Sequence, residues 1–136
     1  MYETFDHTAD LGLRIRADHL EGLFEEAGRA LLSVMVTRPS DVRAVEEVAF
    51  EVEGTEHDEL LRDWLAELLY TFHGRHLLLA EFDVRLGPTG LTATARGEPF
   101  DPNHHEIDAE LKAITYHGLK VQQHPDGWLA EVIVDI

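Results

Sequence analysis

Two carboxyl groups close the chain: the side chain of Asp135 and, one residue later, the α-carboxylate of Ile136. They end an apolar run, Gly127-Trp128-Leu129-Ala130-Glu131-Val132-Ile133-Val134, that reads as a β-strand. Hard oxygen donors so near one another suit a cation such as Ca²⁺, Mg²⁺ or Mn²⁺; the same residues also suit an edge strand that stops in solvent. Asp10 follows His7 by three residues in a short connector. Aspartate in such a segment is commonly a turn or cap residue, and His7 offers a ligand, a general base or a partner to a ligand. His104-His105-Glu106 sits in a loop with two prolines. Zinc is disfavoured there, because the chain has no thiolate and no His-Glu-x-x-His spacing. Lys112 is the one base inside the run Leu111 to Tyr116. Its ammonium either reaches solvent along its own stem, pairs with carboxylates or meets an anionic ligand. Buried without a partner it would cost several kcal/mol.

The elements that must position these residues alternate between two periods. Tyr2 to Phe5 suggests a first strand, and Leu13, Ile15 and Ala17 alternate with Arg14 and Arg16 as a half-buried second. Asp18 and Glu21 resemble a capping box ahead of Leu20, Leu23, Phe24, Ala27, Leu31, Val34 and Met35, which recur at helical spacing. Arg38-Pro39 ends that helix. Val48, Phe50 and Val52 alternate with Glu47, Ala49, Glu51 and Glu53. Thr55 and Asp58 signal a second helix, on which Leu61, Trp64, Leu65, Leu68, Leu69 and Phe72 form one face, with Gly74 near its end. Leu78 to Leu86 alternates strictly, and Gly87-Pro88-Thr89-Gly90 turns the chain into Leu91 to Ala95. Glu110 to Val121 permits either period, and Ile114-Thr115-Tyr116 favours strand. His124-Pro125-Asp126-Gly127 turns into the last strand, which pairs with the one before it. The order β-β-α-β-α-β-β-β-β gives an α+β domain, 1–136, with two helices on a largely antiparallel sheet.

Composition narrows the function. The chain of 136 residues carries 27 Asp and Glu against 11 Lys and Arg, a formal net charge of −16. Affinity for a phosphate backbone comes mainly from Lys and Arg, so direct nucleic-acid binding is disfavoured. Cations or a basic protein surface suit it better. No apolar run is long enough to cross a bilayer. The start has neither the basic nor the apolar part of a signal peptide, and with no cysteine a cytoplasmic protein is expected. Phosphate-loop, dinucleotide and nucleophile-elbow motifs are all missing.

At these same residues the sequence resembles the archease family. The matching pieces are Phe5-Asp6-His7-Thr8-Ala9-Asp10-Leu11-Gly12, Trp64-Leu65-Ala66-Glu67-Leu68-Leu69-Tyr70, Ala95-Arg96-Gly97-Glu98-Pro99, His105-Glu106, Glu110-Leu111-Lys112-Ala113-Ile114-Thr115-Tyr116-His117, and Gly127-Trp128 through Asp135-Ile136. The resemblance implies a compact α+β fold of duplicated strand-helix-strand-strand modules. It implies an accessory protein, not an enzyme, that activates an RtcB-type RNA ligase in tRNA splicing and RNA repair by promoting its guanylylation and multiple turnover. It also implies divalent-metal ligands at Asp10, Asp135 and the Ile136 carboxylate, and an essential lysine at Lys112. His73-Gly74-Arg75-His76 departs from the more acidic stretch common in that family. Two other classes remain: a free-standing metal-dependent hydrolase using Asp10 and His7, and a chaperone-like interaction module whose carboxylates are solvated.

Overall fold

Period-two apolar residues at the two ends of the chain meet in one sheet. The computed structural model describes residues 1–7 and 10–136, with His7 through its backbone alone. Strands β1 (Tyr2–His7), β2 (Asp10–Ala17) and β8 (Gly127–Asp135) lie side by side in that order. Two short strands, β6 (Ala113–Ile114) and β7 (Lys120–His124), follow one another along the far edge of β8. A second sheet has the order β3 (Glu46–Glu53), β5 (Gly90–Pro99), β4 (Leu77–Gly87). Every pairing between these strands is antiparallel.

The α+β class read from the sequence stands, with two sheets in place of one. The β4–β5 hairpin returns to β3, whereas β8 returns to β2. Helices α1 (Leu20–Met35) and α2 (His57–Arg75) pack against strands of both sheets, so one apolar core serves both. Leu13 and Ile15 of β2 meet Val132 and Ala130 of β8 in register, and all four are fully buried toward the helices. Trp64 of α2 is fully buried, donates its indole N–H to the Phe24 carbonyl at 2.9 Å, and receives Phe50 and Phe82 edge-on. A buried indole needs such an acceptor.

Three local expectations are corrected. Asp18 does not cap α1: the N-cap is His19, without a side-chain bond. Glu21 instead reaches across to accept the Leu86 N–H at 2.8 Å, and Glu25, one turn later, accepts the Val84 N–H at 2.9 Å. These carboxylates occupy donors on the outer edge of β4, where a foreign strand would otherwise pair. Likewise α2 begins after Glu56, without a Thr55 cap, and continues past Gly74 to His76, whose φ of 54° supplies the left-handed stop. The segment 110–121 is not one strand. It pairs only at Ala113–Ile114, turns at Gly118 with φ 59°, and pairs again from Lys120.

Candidate metal centre

The face of the first sheet turned away from the helices is organised in rows that cross its strands. In the first row Glu3, Arg14, Glu131 and Lys120 are register partners on β1, β2, β8 and β7. Arg14 Nη1 lies 3.1 Å from Glu3 Oε1, Arg14 Nε lies 2.6 Å from Glu131 Oε2, and Lys120 Nζ lies 3.1 Å from Glu131 Oε1. Acid and base alternate, so every neighbour attracts. Burial pushes the Glu131 carboxyl up, but Lys120 and Arg14 outweigh it and hold it below the usual range. Hydrogen bonds to Glu131 and Glu3 push the Arg14 guanidinium up in turn.

Next comes an apolar row of Phe5, Gly12 and Ile133. The Phe5 ring lies across Gly12, so that a Cβ there would stand 2.2 Å from the ring. Arg14 sits over the same ring, 4.7 Å from its centre. Ile133 is 4% exposed yet does not belong to the main core, because this belt covers it from the opposite face.

Beyond the belt, the third row brings Asp10 directly opposite Asp135, with Ala113 on the far side of Asp135. Both aspartates are half-buried. The Lys112 N–H donates to the Asp135 carbonyl at 2.8 Å, and Ile136, 43% exposed, follows directly. The four positions singled out in sequence, Asp10, Lys112, Asp135 and Ile136, are thus gathered at one end of one sheet. His7 is the register partner of Asp10 through its backbone. Its side chain, with Thr8 and Ala9, lies outside the described residues.

Directly opposed residues on a sheet have Cβ atoms about 4.5–5.5 Å apart, and like charges there are destabilising. A cation between them reverses the sign. The Asp10 and Asp135 carboxylates offer hard oxygen donors, the kind that suit Ca²⁺, Mg²⁺ or Mn²⁺ and not a thiolate-seeking metal.

A second cluster joins histidines to a carboxylate, but not the one adjacent in sequence. Glu106 is exposed. Glu98 takes its place, with His105 Nε2 at 2.9 Å and His104 Nε2 at 3.8 Å from Glu98 Oε2. His105 Nδ1 accepts the Asp101 N–H at 3.0 Å, so in the neutral ring Nε2 carries the proton and donates to Glu98. A metal at Nε2 would have to displace that proton and leave Nδ1 as an acceptor, the reverse of the usual metal-bound imidazole. Burial pushes the Glu98 carboxyl up, while the Arg43 N–H, the His105 ring and the Arg43 guanidinium hold it below the usual range. The cluster is a closed latch between β5 and the 101–105 loop. Strand alternation puts Glu98 with Thr92, Thr94 and Arg96 on the less buried side of β5. It is buried because the loop folds over it, and no spacing in the sequence signals that.

Fold and site together define a class: a small acidic α+β protein of two antiparallel sheets, with opposed carboxylates where β2 and β8, the central pair of the first sheet, meet. The chain matches the Archease protein family (MTH1598/TM1083) over residues 2–136. It is 41% identical to the protein archease of Pyrococcus furiosus, over 99% of this chain and 98% of that one. In three dimensions it resembles protein 1598 of Methanobacterium thermoautotrophicum with a TM-score of 0.88 and 34% identity, covering 99% of this chain and 98% of the other. It also resembles an archease, possible chaperone, from Thermotoga maritima with a TM-score of 0.71 and 25% identity, covering 100% and 98%. The chain belongs to the archease family. Among the described residues no helix is long and apolar enough to cross a membrane.

Proposed function

We propose that this chain is a cytoplasmic accessory protein, not itself an enzyme, that activates an RtcB-type RNA ligase by promoting its guanylylation and turnover through a divalent-metal site at Asp10, Asp135 and the Ile136 carboxylate. One observation carries the reading: Asp10 faces Asp135 in register, while Lys112 is bonded through its backbone to Asp135. Membership of the archease family supports the partner. A divalent ion held there supplies positive charge for phosphate oxygens. The β2–β8 ladder carries the acidic end of the sheet, and the Lys112 backbone N–H is tied to it at Asp135. With a net charge of −16 the chain itself is repelled by RNA. The nucleophile and the nucleotide site belong to the ligase.

A second reading, a chaperone-like module, is favoured by the description of the Thermotoga maritima relative as a possible chaperone. The two differ in their need for the metal row. Ligase guanylylation is followed with labelled GTP in the presence of the chain, of Asp135→Asn, of Lys112→Ala and of a chain extended beyond Ile136. The activator reading expects each change to lose the stimulation while the fold persists, since all three positions are at least partly exposed. Full stimulation by all three variants would contradict it and favour the chaperone reading.

A further inference from the structure

In a chain with 11 Lys and Arg against 27 Asp and Glu, a place where Arg, Lys and His converge is notable. One lies where α2 crosses β6. Arg62 Nε donates to the Ile114 carbonyl at 3.2 Å, and His73 Nε2 stands 3.0 Å from the Leu111 carbonyl. The carbonyl can only accept, so that nitrogen carries the proton and Nδ1 of the neutral ring is left as an acceptor. The helix therefore clamps the chain at Leu111, just ahead of β6, and at Ile114, its last residue. Between the clamps, Lys112 borders a cleft of about 180 Å³ floored by Leu69 and Ile114, with Tyr70 at its rim. Lys112 makes no ion pair among the described residues, whereas Arg62 keeps Nη2 to spare after pairing Nη1 with Asp63 at 3.2 Å. Tyr70 is 72% exposed, and Tyr116, 62% exposed, lies under the Arg62 guanidinium at 4.5 Å.

We propose that this cleft receives one acidic side chain of a partner protein, its carboxylate on Lys112 and Arg62 and its methylenes on Leu69 and Ile114. The cleft is smaller than the roughly 300–1,000 Å³ of small-molecule sites, which suits a single side chain better than a nucleotide. Its chemistry is cationic at the rim and apolar at the floor, complementary to a glutamate and its stem. Exposed tyrosine beside arginine is the composition of protein-interface hot spots. For the identity of the partner the inference rests on the activator reading; the cleft chemistry stands apart from it.

Two experiments separate these. Amide NMR spectra of the whole chain are recorded during titration with acetyl-Glu-Glu-Leu-Glu-Glu-amide, with its glutamine counterpart, with GMP and with inorganic phosphate. The acidic peptide is expected to shift Tyr70, Lys112 and Ala113 saturably, with Lys112→Ala weakening it at least tenfold and Lys120→Ala leaving it unchanged. Equal shifts from the glutamine peptide, or tighter binding of GMP or phosphate, would overturn the proposal. In the second experiment a carbodiimide is added to the chain mixed with the ligase; it condenses an amine with a carboxylate to an amide and takes up the water lost. The chain has two lysines, Lys112 and Lys120. A link from Lys112 to an Asp or Glu of the ligase supports the proposal, and a complex linked only through Lys120 overturns it. A chain that binds the acidic peptide in the cleft but not the ligase overturns the activator reading and supports the cleft chemistry.

Discussion

Arg14 and Asp10 lie four residues apart on the same face of β2, each in the middle of a cross-strand row. Around Arg14 acid alternates with base from Glu3 to Lys120, and the charges satisfy one another. Around Asp10 acid faces acid on β8. The same strands, the same register and the same face thus carry one row in which acid alternates with base and one in which two carboxylates are register partners. The apolar belt of Phe5, Gly12 and Ile133 keeps the two apart, so Arg14 is spent on Glu3 and Glu131 and on the Phe5 ring. The lesson is that carboxylate count says little here; the identity of the opposing residue decides whether a row is closed by its own ion pairs or leaves acid opposite acid.

The belt is the place to break that separation most severely. Gly12→Ala puts a Cβ into the Phe5 ring, which must swing off the sheet and out from under Arg14. A loss of about 1–3 kcal/mol is expected, read as a lower urea midpoint, with Ile133 newly exposed to solvent. The first row is probed next. Glu131→Gln keeps the shape and removes the charge shared by Arg14 and Lys120, and a loss of about 1 kcal/mol is expected at neutral pH. The pH dependence has a fixed sign. Because the folded Glu131 carboxyl titrates below its ordinary value of about 4.3, its contribution is complete above that pH and disappears as the pH falls through the lowered folded value. The stability gap between wild type and Glu131→Gln should therefore close below about pH 4.3; a gap that widened in acid would contradict the assignment. The smallest effect is at the third row. In chelator, Asp135→Asn removes one of two register-paired carboxylates at a half-buried edge position, and its stability by urea unfolding is expected to stay within about 0.5 kcal/mol of wild type.

Much of this arrangement was legible in the residues. Leu13, Ile15 and Ala17 gave β2 through their alternation, Trp64 and its leucines gave the buried face of α2, and the Gly87–Gly90 turn gave the β4–β5 hairpin. Local periodicity reports burial, and burial is what it recovered. Pairing between distant strands is not local. That Asp10 stands opposite Asp135 was suggested only by resemblance to a family, since 125 residues separate them and no short-range rule sets their register. The division into two sheets escaped for the same reason. Glu98 escaped because a loop, not its strand, buries it. Arg62 and His73 escaped because they act on the backbone carbonyls of Ile114 and Leu111, and a sequence does not reveal which carbonyl an exposed helix face will meet. Segment 110–121 misled because Ile114-Thr115-Tyr116 has strand propensity, while the Gly118 turn three residues later limits the pairing to two residues.

The central claim is that the Asp10–Asp135 row, and not the Glu3–Lys120 row, holds a divalent cation. Thermal or urea unfolding with rising Ca²⁺, Mg²⁺ or Mn²⁺ tests it directly. At a hundred times the dissociation constant a single site adds about 2.7 kcal/mol. The account predicts that saturable gain in wild type and in Glu131→Gln, and its loss in Asp135→Asn. Equal gains in Glu131→Gln and Asp135→Asn, or no gain in wild type with any of the three ions, would contradict it.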